Sequence, residues 1–201
     1  MKSGFDFIVS LLGLIFLFPL FIVLSLLIIS NDKGPVFYKQ LRVGKGGRMF
    51  VLYKFRSMRV LESGIEATFE PGNTSRVTYI GKFIRSTKLD ELPQLFNVLK
   101  GEMSFVGPRP EIKKWVEVYP EKWKMILTVK PGITDNASLV FRNEESLLTE
   151  SKDPDTTYRE IILPRKLELY EQYILHHSFT GDLKLILKTL CLIFRKGRLN
   201  P

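Results

Sequence analysis

At 201 residues and without internal repeats, the chain is long enough for one domain with a real core, and nothing in it suggests two. A net charge of +9 implies an anionic partner: nucleic acid, an anionic membrane face or a phosphorylated substrate. The single cysteine, Cys191, excludes an intrachain disulfide and a clustered-cysteine metal site, which fits a reducing, cytosol-facing body.

From Phe7 to Ile29 no residue is charged, and only Ser10, Gly13, Pro19 and Ser25 interrupt a run of Leu, Ile, Phe and Val. A helix of this length measures about 35 Å, against a bilayer hydrocarbon core of about 30 Å. The run is too long for a signal-peptide apolar core and no small-residue cleavage site follows it, so it is expected to persist as a membrane anchor. Pro19, in its middle, removes a backbone hydrogen bond and bends the helix. Two topologies follow: a kinked helix that crosses the bilayer, or a bend that returns both ends to one face. Residues 31–60 then carry eight basic side chains against Asp32 alone, which by the positive-inside tendency marks a cytoplasmic side attracted to anionic headgroups.

Within that basic region, Val36 to Val43 and Arg48 to Phe55 read as two strands joined by Gly44-Lys45-Gly46-Gly47, a hairpin. The glycine run lacks the longer frame, the Ser or Thr and the following helix of a Walker phosphate loop. Strand alternation puts Lys54 and Arg56 on one face, where they meet a phosphate or solvent. Residues 61–78 are polar and read as a mobile loop, and Ile80 to Ile84 leads into the stretch from Arg85 to Pro110.

There Asp90 and Glu91 immediately precede Leu92, Leu95, Phe96 and Leu99, which share one helical face, and Gly101 supplies a stop. Pro93 fits a first helical turn. At a helix N-terminus, unpaired N–H groups and the positive dipole end lower a carboxylate pKa and attract phosphate oxygens, so an ionised aspartate there is a usable nucleophile. The plainer alternative is an N-cap aspartate followed by a first-turn acid. Downstream, Pro108 and Pro110 fix the backbone on both sides of Arg109; a guanidinium held so stiffly suits bidentate phosphate recognition, or else the segment is a rigid surface turn.

Beyond Pro110, Glu111 to Val118 and Glu121 to Val129 read as amphipathic helices whose Trp115, Trp123 and Ile126 face either the membrane interface or the core. Pro131-Gly132 makes a turn, and Glu144 to Glu160 faces water. Arg159 to His177 is helical with a break at Pro164. Thr180 caps a last helix from Asp182 to Phe194, which packs into the core or lies on lipid. The adjacent His176 and His177 lack ligand spacing and read as surface or membrane-edge residues.

The run from Leu89 to Ser104 and then Gly107-Pro108-Arg109-Pro110 resembles the bacterial sugar transferases, the small monotopic polyprenyl-phosphate phosphoglycosyl transferases. Gln40-x-Arg42-x-Gly44, Tyr53-Lys54-Phe55-Arg56-Ser57-Met58 and Pro131-Gly132-Ile133-Thr134 match in the family's order, so the resemblance covers nearly the whole chain. It implies an α+β fold with a kinked re-entrant N-terminal membrane helix, a small β-hairpin and amphipathic helices packed at the membrane interface. Residues 1–31 would be the anchor, bent at Pro19, and residues 32–201 the catalytic domain on the cytoplasmic face of the inner membrane. It further implies transfer of a phospho-sugar from a UDP-sugar to polyprenyl phosphate, with release of UMP, as the first membrane step of surface glycan synthesis. In that chemistry Asp90 is the nucleophile, forming a covalent phosphosugar-enzyme, and a ligand of Mg²⁺; Glu91 assists the metal site or proton transfer; and Lys54, Arg85 and Arg109 bind phosphate. The partners implied are the UDP-sugar, polyprenyl phosphate and anionic lipid, with a homodimer compatible and no nucleic acid. Two departures stand out: Phe18 precedes Pro19 where the family often has Ser, and Asp135-Asn136 replaces the usual Gly-Leu near the donor end of the site. The alternative from another class is a non-catalytic, membrane-anchored interaction protein of an envelope-polysaccharide complex.

Overall fold

The computed structural model describes residues 2–59 and 75–196. Helix α1 (Lys2–Asn31) runs through Pro19 and is long and apolar enough to cross a membrane. Most of its large side chains, such as Ile15, Phe16, Phe18 and Leu26, are exposed, Phe16 by 83%. A narrow stripe of Asp6, Ser10, Phe21, Leu24 and Ile28 is buried. That stripe touches the body of the protein along its length. Phe5 meets Phe105 and Phe179 edge-on near the N-terminal end, Gly13 sits over Leu95, and Phe21 packs on Phe55 and Phe96.

The expected hairpin is present. Strands β1 (Phe37–Val43) and β2 (Met49–Phe55) pair antiparallel from Phe37↔Phe55 to Val43↔Met49. The connection is a turn: Gly46 and Gly47 hold φ of 67° and 75°, a left-handed backbone that glycine adopts without a Cβ clash, and Gly44 N–H donates to Arg48 C=O at 2.8 Å. The loop expected at residues 61–78 falls largely outside the described residues.

Helix α2 (Tyr79–Ser86) starts on Thr78, whose hydroxyl accepts from Gly81 N–H at 2.9 Å. Lys88 then takes a left-handed conformation, φ 61°, and turns the chain into a single 3₁₀ turn, Leu89–Glu91, ahead of α3 (Gln94–Leu99). Strand β3 (Ser104–Val106) comes next, followed by the short helices α4 (Lys113–Val116) and α5 (Pro120–Ile126) and by strand β4 (Gly132–Thr134). β3 and β4 pair in parallel, Ser104↔Gly132 and Val106↔Thr134.

α4 and α5 are shorter than the sequence pattern predicts: α4 covers only Lys113–Val116, and α5 ends at Ile126 rather than Val129. Pro120, which has no N–H, opens α5 and pushes the residue before it out of the helical region, so Tyr119 has φ −132°, ψ 64°. Their tryptophans face the core rather than lipid: Trp115 and Trp123 are almost fully buried with Tyr158, Leu163, Leu167 and Tyr170.

The remainder is helical: α6 (Asn136–Val140), α7 (Glu144–Glu150), α8 (Pro154–Thr157), a π turn at Tyr158–Ile162, α9 (Leu163–His176) and α10 (Phe179–Lys196). Pro164 does not break the chain as expected. It stands in the first turn of α9, directly after the wider π turn, where its missing N–H costs little. α10 likewise begins earlier than predicted, since Ser178 rather than Thr180 takes the capping position and accepts from Gly181 N–H at 3.1 Å. Leu185 of α10 is buried, Leu187 and Leu190 are exposed, and both histidines lie on the surface.

Two apolar clusters thus flank one segment. Phe21, Leu24, Ile28, Phe55 and Ile84 form one, with Leu89 and Leu92 packed against it; the tryptophan cluster forms the other. Asp90 and Glu91 issue from the first and Arg109 leads into the second.

Candidate active site

The 3₁₀ turn delivers Asp90 and Glu91 in succession, and their environments differ. Glu91 receives two cations: Lys54 Nζ from the end of β2 donates to its Oε1 at 3.1 Å, and Arg109 donates through Nη2 to Oε1 at 2.5 Å and through Nη1 to Oε2 at 3.4 Å. Asp90 is only 8% exposed, and its Oδ1 has no hydrogen-bond partner among the described residues. A buried carboxylate oxygen left without a donor costs free energy unless a ligand completes it.

These surroundings set opposite protonation tendencies. Burial pushes the Asp90 carboxyl above the ordinary aspartate value, with Lys54 the cation that opposes it most. Burial thus acts opposite to the lowering expected from a helix N-terminus; the pair lies in a single 3₁₀ turn, and α3 begins only at Gln94. Burial also acts on Glu91, but Arg109 and Lys54 outweigh it and hold that carboxyl well below the ordinary range. Burial lowers Lys54, against the pull of Glu91. Arg109 is raised by Glu91 and stays charged. The cluster is therefore an anionic Glu91 held by the Arg109 guanidinium and the Lys54 amine, beside the Asp90 carboxyl with its unpaired oxygen.

Arg109 is fixed from several sides. Pro108 and Pro110 restrict the backbone, Gly132 N–H donates to Pro108 C=O at 2.9 Å, and Arg42 Nη1 donates to Pro110 C=O at 3.1 Å. Arg42 also pairs with buried Glu111 at 3.1 Å, and the Tyr158 hydroxyl donates to the other Glu111 oxygen. Glu111, read from sequence only as a helix start, is the fastening point of the arginine loop. The one available signal was its position directly after the proline-bracketed arginine.

The structure therefore brings Lys54, Glu91 and Arg109 together, next to Asp90. Arg85 is placed differently: it leaves the last turn of α2 and pairs with Glu145 of α7 at 2.6 Å, half-exposed. It remains one of the charges felt by Asp90. Arg56, two residues beyond Lys54, meets neither phosphate-ready space nor solvent; it is buried against Asp32 and Lys33 C=O. Asp135 is fully buried and caps α6, accepting from Ser138 N–H at 2.8 Å and Ser138 Oγ at 2.7 Å, and burial raises its carboxyl against those bonds. The Asp-Asn departure thus has a local cause, the start of a helix.

Among the described residues, no three His, Cys, Asp or Glu side chains converge as a cage for a metal. The open Asp90 oxygen is a hard donor of the kind that holds Mg²⁺ through one carboxylate, with water and substrate phosphates completing the shell. The residues present fit such an ion.

The chain thus sets a long apolar helix along a mixed body, with one carboxylate of an adjacent pair, Glu91, clamped by two cations and the other, Asp90, left with an unpaired oxygen. The family described as bacterial sugar transferase matches residues 1–196, and the chain belongs to it. It is 33% identical over 204 residues to the exopolysaccharide production protein ExoY of Sinorhizobium fredii, covering 94% of this chain and 83% of that protein. To the UDP-glucose:undecaprenyl-phosphate glucose-1-phosphate transferase of Klebsiella pneumoniae it is 39% identical over 189 residues, 92% of this chain but 38% of the relative. To the undecaprenyl-phosphate galactose phosphotransferase of Salmonella typhimurium it is 35% identical over 211 residues, 98% of this chain and 41% of the relative. The chain thus spans about two fifths of the length of the latter two proteins.

Proposed function

We propose that this chain is a phosphoglycosyl transferase that moves a phospho-sugar from a UDP-sugar to polyprenyl phosphate. The observation that carries the reading is the open, buried oxygen of Asp90 beside the Lys54–Glu91–Arg109 cluster, in a chain of this family. The names of the relatives supply the donor and acceptor classes.

Asp90 attacks the β-phosphorus of the donor, the bond from that phosphorus to the bridging oxygen breaks, and UMP leaves with that oxygen. A non-bridging oxygen of polyprenyl phosphate then attacks the same phosphorus and displaces the Asp90 carboxylate, giving the polyprenyl-diphosphate-sugar. Two displacements replace one difficult transfer, and no net proton is moved. Arg109 and Lys54 neutralise phosphate charge as it shifts, and Glu91 keeps both cations in place until the donor arrives. Arg85, released from Glu145, adds a third positive charge at the diphosphate. Asp90 is the residue that would hold Mg²⁺, which would supply further charge neutralisation.

Residues 1–31 are the anchor and residues 32–201 carry the chemistry. Contact of the first turn, the middle and the last turns of α1 with the same body supports a monotopic arrangement, with both ends on the cytoplasmic face. The exposed side of α1 then faces lipid, and the basic residues after it meet anionic headgroups.

UMP release by the purified chain, with Mg²⁺ and undecaprenyl phosphate across a panel of UDP-sugars, tests the reading. Release with a UDP-sugar that chelation abolishes is the expected result. Failure with every sugar, by a protein that is folded, would return the chain to the non-catalytic alternative.

A further inference from the structure

The apolar helix α1 carries two ionic side chains, Lys2 and Asp6, and neither points to water alone. Asp6 is buried to 5% exposure and its Oδ1 accepts the Phe105 N–H of β3 at 3.3 Å. Lys2 Nζ donates to Val106 C=O at 2.8 Å and to the Tyr173 hydroxyl at 2.9 Å, and pairs with Asp182 of α10. β3 has a strand partner on one side, β4. The start of the anchor helix supplies polar partners for two backbone groups of that strand, Phe105 N–H and Val106 C=O, where an unpaired group would be costly.

From β3 to Arg109 there is little slack. Gly107 N–H donates to Thr134 C=O at 3.1 Å, and a Cβ on Gly107 would lie 2.5 Å from Lys130 C=O, so its backbone is pressed against the next segment. Pro108 follows, then Arg109. A shift of β3 is therefore passed to the guanidinium, whose two bonds to Glu91 depend on its direction.

The other end of α1 repeats the arrangement on the other cation. Asp32, directly after the helix, meets the Arg56 guanidinium through its carboxylate at 3.4 Å and through its C=O, and Lys33 C=O accepts from Arg56 Nη1 at 3.1 Å. Gly34, at φ 138°, leaves the space the guanidinium fills, since a Cβ there would lie 2.3 Å from Nη1. Arg56 stands two residues past Lys54 on the same chain direction, with its own N–H bonded to Val36 C=O at 2.9 Å.

We propose that the two ends of the anchor helix position the two cations of the site: Lys2 and Asp6 set β3 and through it Arg109, and Asp32 sets Arg56 and through it Lys54. Asp6 and Arg56 are then positioning residues, and the anchor is a structural part of the site as well as a membrane attachment. The catalytic consequence rests on the phosphoglycosyl-transferase reading; the structural one does not.

The full chain in detergent micelles tests this, as wild type, Asp6→Ala and Asp6→Asn. Asparagine keeps an oxygen that accepts from Phe105 N–H, whereas alanine removes it. The expected result is a donor KM for UMP release raised about tenfold in Asp6→Ala, a loss of about 1.4 kcal/mol in binding, and restored to near the wild-type value in Asp6→Asn. A role in folding alone would lower the active fraction and kcat while leaving KM unchanged, and that outcome overturns the proposal. Should Asp6→Ala fail to fold, Tyr173→Phe, which removes the hydroxyl that accepts from Lys2 and lies between Asp182 and Val106 C=O, takes its place and must raise KM in the same direction. Amide hydrogen exchange in residues 104–110 is read in parallel. If the wild type releases no UMP, the functional reading falls and exchange alone decides: faster exchange in Asp6→Ala but not in Asp6→Asn supports the positioning role, and equal exchange in all three refutes it.

Discussion

Replacing Glu91 by Gln removes the one negative charge that Lys54 and Arg109 share. Withdrawing one partner from a fully buried ion pair costs about 3–5 kcal/mol. Here Lys54 and Arg109 keep side-chain exposures of 21% and 28%, so water recovers part of the loss. Lys54, already lowered by burial, can also shed its proton. The net destabilisation is therefore about 2–3 kcal/mol, or a fall in melting midpoint of about 4–12 °C for a chain of this size. Tryptophan fluorescence in micelles reports it, because Trp115 and Trp123 lie in the core. The pH dependence makes the test specific. The folded-state pKa of Glu91 is depressed, so its stabilisation is complete above the unfolded value of about 4.3 and is lost as pH falls through the folded value. The gap between wild type and variant should thus be full near neutrality and close in acid. Equal midpoints at neutral pH, or a gap unchanged in acid, would refute the ion-pair account.

Asp90 reacts as the carboxylate and burial raises its pKa, so the acid limb of kcat/KM should lie above the ordinary aspartate value of about 3.9; a limb at or below that value contradicts the assigned environment. Arg85→Ala breaks a half-exposed pair with Glu145 and should change stability by no more than about 1 kcal/mol, yet raise the donor KM; an unchanged KM would confine Arg85 to the surface pair. Tyr158→Phe takes a buried donor from Glu111 and should cost about 1–3 kcal/mol in unfolding free energy; no loss would mean that Glu111 does not depend on it.

What could be read from sequence was local. The hairpin was legible because β-branched and aromatic runs flank a glycine turn whose left-handed backbone only glycine fits easily. The apolar helix was legible from its long uncharged run, whereas α2 and its Thr78 cap were not, Ile80 to Ile84 reading only as a lead into the site. β3 and β4 were not, since three residues each are too few for an alternating pattern and their pairing is parallel across two helices. The site divides the same way. Asp90, Glu91 and Arg109 stood out as a motif, but the contacts of Glu91 with Lys54 and Arg109 join residues 37 and 18 positions apart, which no periodicity encodes. The sign of the Asp90 shift was misjudged because burial is a property of the packed chain. Arg56 was grouped with Lys54 by alternation, whereas the end of the anchor claims it. Trp115 and Trp123 fitted an interfacial and a core-facing helix alike until the aromatic cluster around them was seen.

The central claim is that Asp90 carries the phospho-sugar. Incubating the purified chain with Mg²⁺ and the UDP-sugar that supports turnover, without polyprenyl phosphate, and mapping the peptides by mass spectrometry tests it most directly. The account predicts a phospho-sugar adduct on the peptide at Asp90, discharged by added polyprenyl phosphate and absent in Asp90→Asn. Turnover retained in Asp90→Asn, or an adduct on another residue, would contradict it.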